Sequence, residues 1–377
     1  QYGVSKENRP LPIVEMGLFM DMDGIPIAFG ITPGNAGEQN TMIPMEKKIL
    51  EKFDVSQFVV CTDAGLSSGT NRFFNDYDRT DGKRSFITTQ SIKKLKGHLK
   101  EWALDPTGWR LAGSDSRVQY DIRDLDDKQD KEKLFFKSRW IKEPTKVSMD
   151  GKTRTVVLEQ QLIVSYSIKY RDYLRSIRNG QIERARKMVA QGETSMGRKR
   201  QNDPKRFIFT DHITQEGEIA EKANSYINEA VIIEEESYDG FYAVCTNLED
   251  NPETITRVNK QRWQIEECFR IMKSDFEARP AFVKRKDRIL AHFMTCFIAL
   301  IVYRYLEKRL GNQYPISEII PALQEMDFMK YEGKGYQPVY TRTALTDALH
   351  DAFGFCTSKQ IVPVKVMRNI CSVTKNP

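Results

Sequence analysis

The stretch FVVCTDAG, residues 58–65, constrains the fold most, because it is a continuous apolar run that stops at Asp63 and Gly65. A half-buried surface strand alternates apolar and polar residues. An unbroken run suits a central strand covered on both faces, as in α/β proteins. The flanking sequence agrees with that class. Residues 13–35 (IVEMGLFMDMDGIPIAFGITPGN) read as a hairpin: two β-rich runs flank Asp23-Gly24, a strong tight-turn pair, and Pro33-Gly34-Asn35 closes the second run. A helix is predicted from Glu38 to Lys52, carrying apolar Ile43, Met45, Ile49 and Leu50. SFITTQ, residues 85–90, reads as a further strand, so the first ninety residues predict the order β-β-α-β-α-β.

Between residues 94 and 232 the texture changes to charged, irregular strand-like pieces such as KLFFKSRW and RTVVLEQQLIVSYS. A basic helix is predicted over roughly 168–190, with Tyr170, Leu174, Ile177, Ala185 and Met188 near one face. From Lys169 to Arg206 there are 12 Lys/Arg against 4 Asp/Glu, a local excess of +8 in a chain whose net charge is +6. The positive charge is therefore clustered, either as a solvated helix and loop or as an arm that contacts phosphates. GFYAVCTNLED, 240–250, returns to strand texture, a helix follows from about Pro252 to Phe276, and a second covers 288–308. The tail from 311 reads as short helical pieces around a Gly-rich link, YEGKGYQP. The 377 residues thus divide into 1–93, the first part of a core; 94–232, an insertion; 233–310, the second part of the core; and 311–377, a helical tail.

Several function classes recede on composition. The six cysteines (Cys61, Cys245, Cys268, Cys296, Cys356, Cys371) form no C-x-x-C pair, which disfavours a zinc ribbon and suits reduced thiols. The four histidines are too dispersed for a His-rich metal site. The longest apolar run, FMTCFIALIVY at 293–303, has 11 residues where a membrane span needs about 20, so it reads as a buried core helix.

RWQIEECFRIMK, 262–273, poses the question of which glutamate matters. At about 100° per residue with Asn259 as zero, Arg262, Glu266 and Lys273 fall near 300°, 340° and 320°, a stripe about 60° wide with Asn259 at its edge. Val258, Ile265, Phe269, Met272 and Phe276 cluster beside it, and Glu267 falls near 80°, toward solvent. An (i, i+4) ion pair between Arg262 and Glu266 would explain part of this stripe. A second explanation brings in Asp63, a carboxylate at the carboxyl end of a strand, where open α/β sheets place their chemistry. A strand-end Asp and an edge-facing Glu can share a divalent cation of the Mg²⁺ or Mn²⁺ type, beside which arginine and lysine suit a phosphodiester.

CTDAG, then DGFYAVCTN and RWQIEECFRIMKSDF, resemble the DDE-type insertion-sequence transposases of bacteria, in particular the clade with an insertion before the last catalytic carboxylate. That clade carries Tyr-x2-Arg-x3-Glu-x6-Lys on its final catalytic helix; Arg262, Glu266 and Lys273 match, and Asn259 stands in the tyrosine position. YGVSKENRP, PGNAGE and RPAFVKRKDRILAHFMTCFIALIVYRYLEKRL also look like this family. The resemblance implies an α/β, ribonuclease-H-like core, a mixed sheet with flanking helices, interrupted by a β-rich and helical insertion domain. It implies three carboxylates and two Mg²⁺ or Mn²⁺ ions, with Asp63 and Glu266 as catalytic residues and metal ligands. Arg262, Trp263, Lys273, Asn259, Lys284 and Arg285 would contact DNA. The first carboxylate has no match; Asp21 and Asp23 read as turn residues, and the expected first strand would lie upstream of Gln1, leaving residues 1–377 inactive in strand transfer. The implied partners are transposon terminal inverted repeats and target DNA, bound by a homodimer, with no membrane and no small-molecule substrate, in the bacterial cytoplasm at the nucleoid. An inactive DNA-binding derivative and a structure-selective nuclease on the same fold are the alternatives.

Overall fold

The hairpin predicted around Asp23-Gly24 is formed by β1 (Val14–Met20) and β2 (Pro26–Pro33), paired antiparallel. Gly24 has φ +76°, a left-handed conformation strained for any residue with a Cβ. The Asp21 carboxylate closes the turn by accepting from the backbone N–H of Asp23 at 2.9 Å and of Ile25 at 2.8 Å. Asp21 and Asp23 are turn residues, as their position between two β-rich runs suggested. The structure, a computed structural model, describes residues 12–53, 57–114, 117–149, 151–192, 202–213 and 219–373; the YGVSKENRP motif and part of the basic segment, 193–201, lie outside them. The chain divides into two units, one built of 1–36 with 261–377 and the other of 37–260.

In the 37–260 unit, α1 (Glu38–Lys52) has the bounds that its sequence predicted and buries Met42, Glu46 and Ile49. Then come β3 (Phe58–Thr62), α2 (Gly69–Phe74), β4 (Arg84–Gln90), α3 (Gly97–Leu104) and β5 (Arg110–Leu111). A long hairpin of β6 (Phe135–Met149) and β7 (Lys152–Tyr166) leads into α4 (Ile168–Ala190). The pair β8 (Ile208–Ile213) and β9 (Ile219–Ile227) follows, then α5 (Glu229–Glu236), β10 (Phe241–Thr246) and α6 (Pro252–Gln261). Six strands form one mixed sheet in the order β3-β4-β10-β7-β6-β5, in which β3 and β4 run parallel and every other neighbour is antiparallel. A mixed sheet with flanking helices is compatible with the ribonuclease-H-like architecture. The strands of 135–166 belong to this same sheet.

The position of β3 corrects the sequence reading. Among the described residues it is an edge strand of the sheet, and Val59 is exposed. An apolar run reports which faces a strand can cover; its rank along the sheet depends on pairing with segments far away in sequence. Ile87, Ile163 and Val244 from three neighbouring strands pack with Ile255 of α6. A second cluster joins Ile182 and Ala185 of α4 to Phe207, Ile208 and Ile232. Here too the expected face needs revision: α4 buries Ile168, Arg178, Ile182 and Ala185 while Ile177 is exposed. Arg178 can occupy the inner face because Asp239 receives both of its terminal nitrogens, at 2.6 and 2.7 Å.

In the other unit the hairpin is joined by α7 (Trp263–Ser274), α8 (Lys286–Arg309) and α9 (Ile316–Glu325). The tail holds β11 (Phe328–Tyr331), β12 (Gly335–Pro338), α10 (Ala344–Phe353) and α11 (Val364–Val373). Its core gathers Leu18, Cys268, Ile271, Met272, Phe297, Leu300, Ile319 and Leu349. Three readings change here. The helix predicted over 252–276 is two helices, α6 and α7, broken at Arg262. The YEGKGYQP link is a β-hairpin, with Gly333 at φ +72° and Gly335 at φ +138°, where a Cβ would stand 2.4 Å from the Val362 carbonyl. Finally, α8 is 24 residues long and, by length and composition alone, could cross a membrane. It is buried on one side only: Cys296, Phe297, Leu300, Tyr303 and Arg304 face the core, while Leu290, Met294, Ile298, Val302 and Tyr305 are exposed.

Candidate functional site

Asp63 is the first residue after β3, exposed at the carboxyl end of the strand. Its Oδ1 accepts from the backbone N–H of Gly65 at 2.9 Å and of Leu66 at 3.0 Å, so the loop itself orients the carboxylate. Gln39 of α1 donates to the Gly65 carbonyl at 2.8 Å, and buried Asn71 donates to the carbonyls of Leu66 and Gln39 at 2.8 and 3.1 Å. Ser68 caps α2 by accepting from Asn71 N–H. Gln39, Asn71 and Ser68 thus hold the Asp63 loop in place. Sequence reading passed over all three, and Gln39 and Asn71 act across 26 and 32 residues, a separation that no local signal reports.

Glu266 and Glu267 exchange the environments expected of them. Glu266 is exposed; Glu267 is half-buried, 3.7 Å from Arg270. The buried face of α7 is centred on Cys268, Ile271 and Met272. The expected face had included Val258, which belongs to α6; once the helix breaks at Arg262, that residue no longer helps to define the inner side of α7. Lys273 lies about 20° from Glu266 around the helix and is also exposed, with its ammonium 5.8 Å from the Phe269 ring. Trp263 is on the same side, 57% exposed. Arg262 is half-buried at the N-cap of α7.

Asn259 departs from the DNA-contacting role expected of it. It is 2% exposed, its amide donates to the Tyr242 hydroxyl at 2.8 Å, and its Oδ1 lies 3.6 Å from the Cys61 thiol. Burial on the inner face of α6 makes it a structural polar contact between the helix and the sheet. Lys284 and Arg285 are exposed, the latter paired with Asp287 at 2.7 Å. In the basic segment, five of the described Lys and Arg side chains form ion pairs within the protein. Lys169 meets Glu132, Arg171 meets Asp127, Arg175 and Arg178 meet Asp239, and Arg206 meets Glu235. Arg184, Arg186 and Lys187 are exposed.

The sequence matches the family model described as Transposase DDE domain over residues 12–302, about three-quarters of the chain. The chain belongs to the DDE transposase family. No curated protein and no solved structure matches it. Members of this family generally use divalent metal ions, and the donor chemistry of the two candidate carboxylates fits: Asp63 and Glu266 are exposed and offer the hard oxygen ligands that Mg²⁺ and Mn²⁺ favour. Among the described residues no three His, Cys, Asp or Glu side chains gather as a metal-binding group. In this DDE family chain two buried thiols, Cys245 and Cys268, stand apart from such chemistry. Burial pushes Cys245 up to about 12 and Cys268 up to about 11, which keeps both protonated and poor as ligands.

Proposed function

We propose that this chain is the catalytic part of a transposase that breaks and joins the DNA of an insertion sequence, with Asp63 and Glu266 as two of its three catalytic carboxylates. The observation that carries the reading is the family match over 12–302, within which Asp63 is an exposed carboxylate at a strand end and Glu266 an exposed one on a helix. In the cleavage step a water oxygen bonds to phosphorus and the bond to the 3′ oxygen breaks, leaving a 3′-hydroxyl on the element and a 5′-phosphate on the flank. In the joining step that 3′-hydroxyl attacks a phosphorus of target DNA, and the target's own 3′ oxygen leaves. Asp63 and Glu266 would hold Mg²⁺ or Mn²⁺, which when bound lowers the pKa of the attacking group and stabilises the leaving oxygen. The turn around Asp63 keeps its carboxylate pointed in one direction before substrate arrives. On α7, Lys273 and Trp263 share the face of Glu266; lysine supplies a phosphate contact, and the exposed indole supplies a stacking or packing surface. Arg262, Lys284 and Arg285 add cations along the same stretch of chain. Two element ends brought together imply two copies of the protein on DNA.

The test uses the full-length protein, a plasmid bearing the element's own ends, and Mg²⁺. Asp63→Asn and Glu266→Gln should each lower 3′-end cleavage by about a thousand-fold or more. Glu267→Gln should stay within a few-fold of wild type. Undiminished cleavage by Asp63→Asn would remove the assignment.

A further inference from the structure

Beside β6 the 37–260 unit has two clefts of about 250 and 270 Å³. The first is lined by Lys94, Lys96, His98, Arg139, Trp140 and Lys142, and the second includes Trp102, Arg110 and Lys137. Arg139 lines the first cleft with its guanidinium 5.3 Å from the Trp102 ring of the second. We propose that these clefts bind single-stranded DNA, with lysine and arginine on the phosphates and a base against Trp140.

Four observations support this. First, the cations are available. Lys94 and Lys96 are exposed and form no ion pair among the described residues. Lys142 has Glu159 at 3.1 Å, but both side chains lie in solvent, where such a pair holds little energy. Second, the nearby carboxylates are already engaged. Glu143 accepts from Arg72 at 3.0 Å and from Gln160 at 2.6 Å, and Asp105 accepts from both the N–H and the hydroxyl of Thr107. Third, Trp140 is 42% exposed beside these cations, and an open indole face takes an unpaired base, whereas bases in a duplex have their faces covered by stacking. Fourth, the two clefts adjoin, since Arg139 of the first lies against the Trp102 ring of the second. Lys137 braces the floor: it is buried, donates to the Asp105 carbonyl at 2.7 Å, and has its ammonium 5.2 and 4.5 Å from the rings of Trp102 and Trp109. In α4, by comparison, Arg171, Arg175 and Arg178 are paired with Asp127 and Asp239, while Arg184, Arg186 and Lys187 are exposed.

The choice of DNA as the nucleic acid rests on the transposase reading, but the experiment does not depend on catalysis. Binding of the full-length protein to a labelled oligothymidine and to a duplex of unrelated sequence is measured by anisotropy in EDTA over a range of salt concentrations. The triple variant Lys94→Ala/Lys96→Ala/Lys142→Ala should weaken oligothymidine binding at least about tenfold and reduce the log–log salt slope by about 2. Trp140→Ala should weaken oligothymidine binding roughly 5- to 100-fold, with little change for duplex. These side chains are exposed, and an unchanged melting temperature verifies that each variant is folded. Oligothymidine affinity and salt slope unaltered in the triple variant would overturn the proposal, as would a Trp140→Ala loss confined to duplex. Asp63→Asn and Glu266→Gln should bind oligothymidine like wild type, so failure of the catalytic reading appears in cleavage while failure of the groove appears in metal-free binding.

Discussion

Glu46 shows what one buried ionisable residue does to this protein. It lies on the inner face of α1, fully buried, and accepts from the Asn75 amide at 2.9 Å. Burial pushes its carboxyl up to about 7, although the Asn75 hydrogen bond and the Arg84 guanidinium both act in the opposite direction. Its unfolded value is about 4.5. Between those values the native state holds a proton that the unfolded state has lost, so this residue makes stability fall as pH rises from about 4.5 to 7. The total effect is on the order of 3 kcal/mol, reached above pH 7. Glu46→Gln should remove this component: at pH 8 the variant should be more stable than wild type by about 1–3 kcal/mol, with little gain at pH 5. Urea melts at the two pH values check it, and an equal effect at both would contradict the assignment. Glu266 and Glu267 teach a second lesson at this scale. Adjacent in sequence and identical in chemistry, they differ in exposure because the helix that carries them buries Cys268 and Ile271.

Among the elements, the β1–β2 turn shows how tightly backbone conformation and packing combine. A Cβ on Gly24 would stand 2.5 Å from a terminal nitrogen of Arg304 and from the Gln264 side-chain oxygen, in addition to occupying φ +76°. Arg304 is itself buried, donates to the Gly24 carbonyl at 2.9 Å, and pairs with Glu307. Lys308 reaches Asp23 at 2.7 Å, so one turn of α8 grips the hairpin at its bend. Gly24→Ala should therefore destabilise the protein by about 2 kcal/mol or more, measured by chemical denaturation. A cost below about 0.5 kcal/mol would mean that Arg304 is not held as described. The hairpin and helices α1 and α4 were legible from sequence because their signals are local: a turn pair, an apolar period, a run of helix formers. The break at Arg262 was not, since its sequence has no Gly or Pro and its backbone stays in the right-handed helical region, φ −57° and ψ −20°.

At the scale of the whole molecule, the prediction concerns how the two carboxylates act together. If Asp63 and Glu266 serve one reaction, removing either should abolish most of the rate, and removing both should cost little more. The double variant Asp63→Asn/Glu266→Gln should then cleave DNA within about tenfold of the slower single variant. Fully multiplicative losses in the same assay would separate their roles. EDTA should abolish cleavage by the wild-type protein while leaving DNA binding in place. Charge also reads differently at this scale. The excess of +8 from Lys169 to Arg206 is real, yet Arg178 and Arg206 are drawn inward by Asp239 and Glu235. Lys94 and Lys96, in a shorter and less conspicuous basic run, keep their charge toward solvent.

The amino-acid sequence by itself determined the hairpin, the helices with clean apolar spacing, the strand that ends at Asp63 and the motif around Glu266 that marks the family. Each depends on residues a few positions apart, where backbone preference and periodicity act directly. Only the tertiary structure decided that β3 is an edge strand among the described residues, that Asn259 is buried against Tyr242, that Glu266 is more exposed than Glu267 and that Arg171, Arg175, Arg178 and Arg206 of the basic segment are paired. Those outcomes turn on which distant segments become neighbours. Burial, pairing and the exposure of a charge belong to that arrangement, and no residue carries them alone.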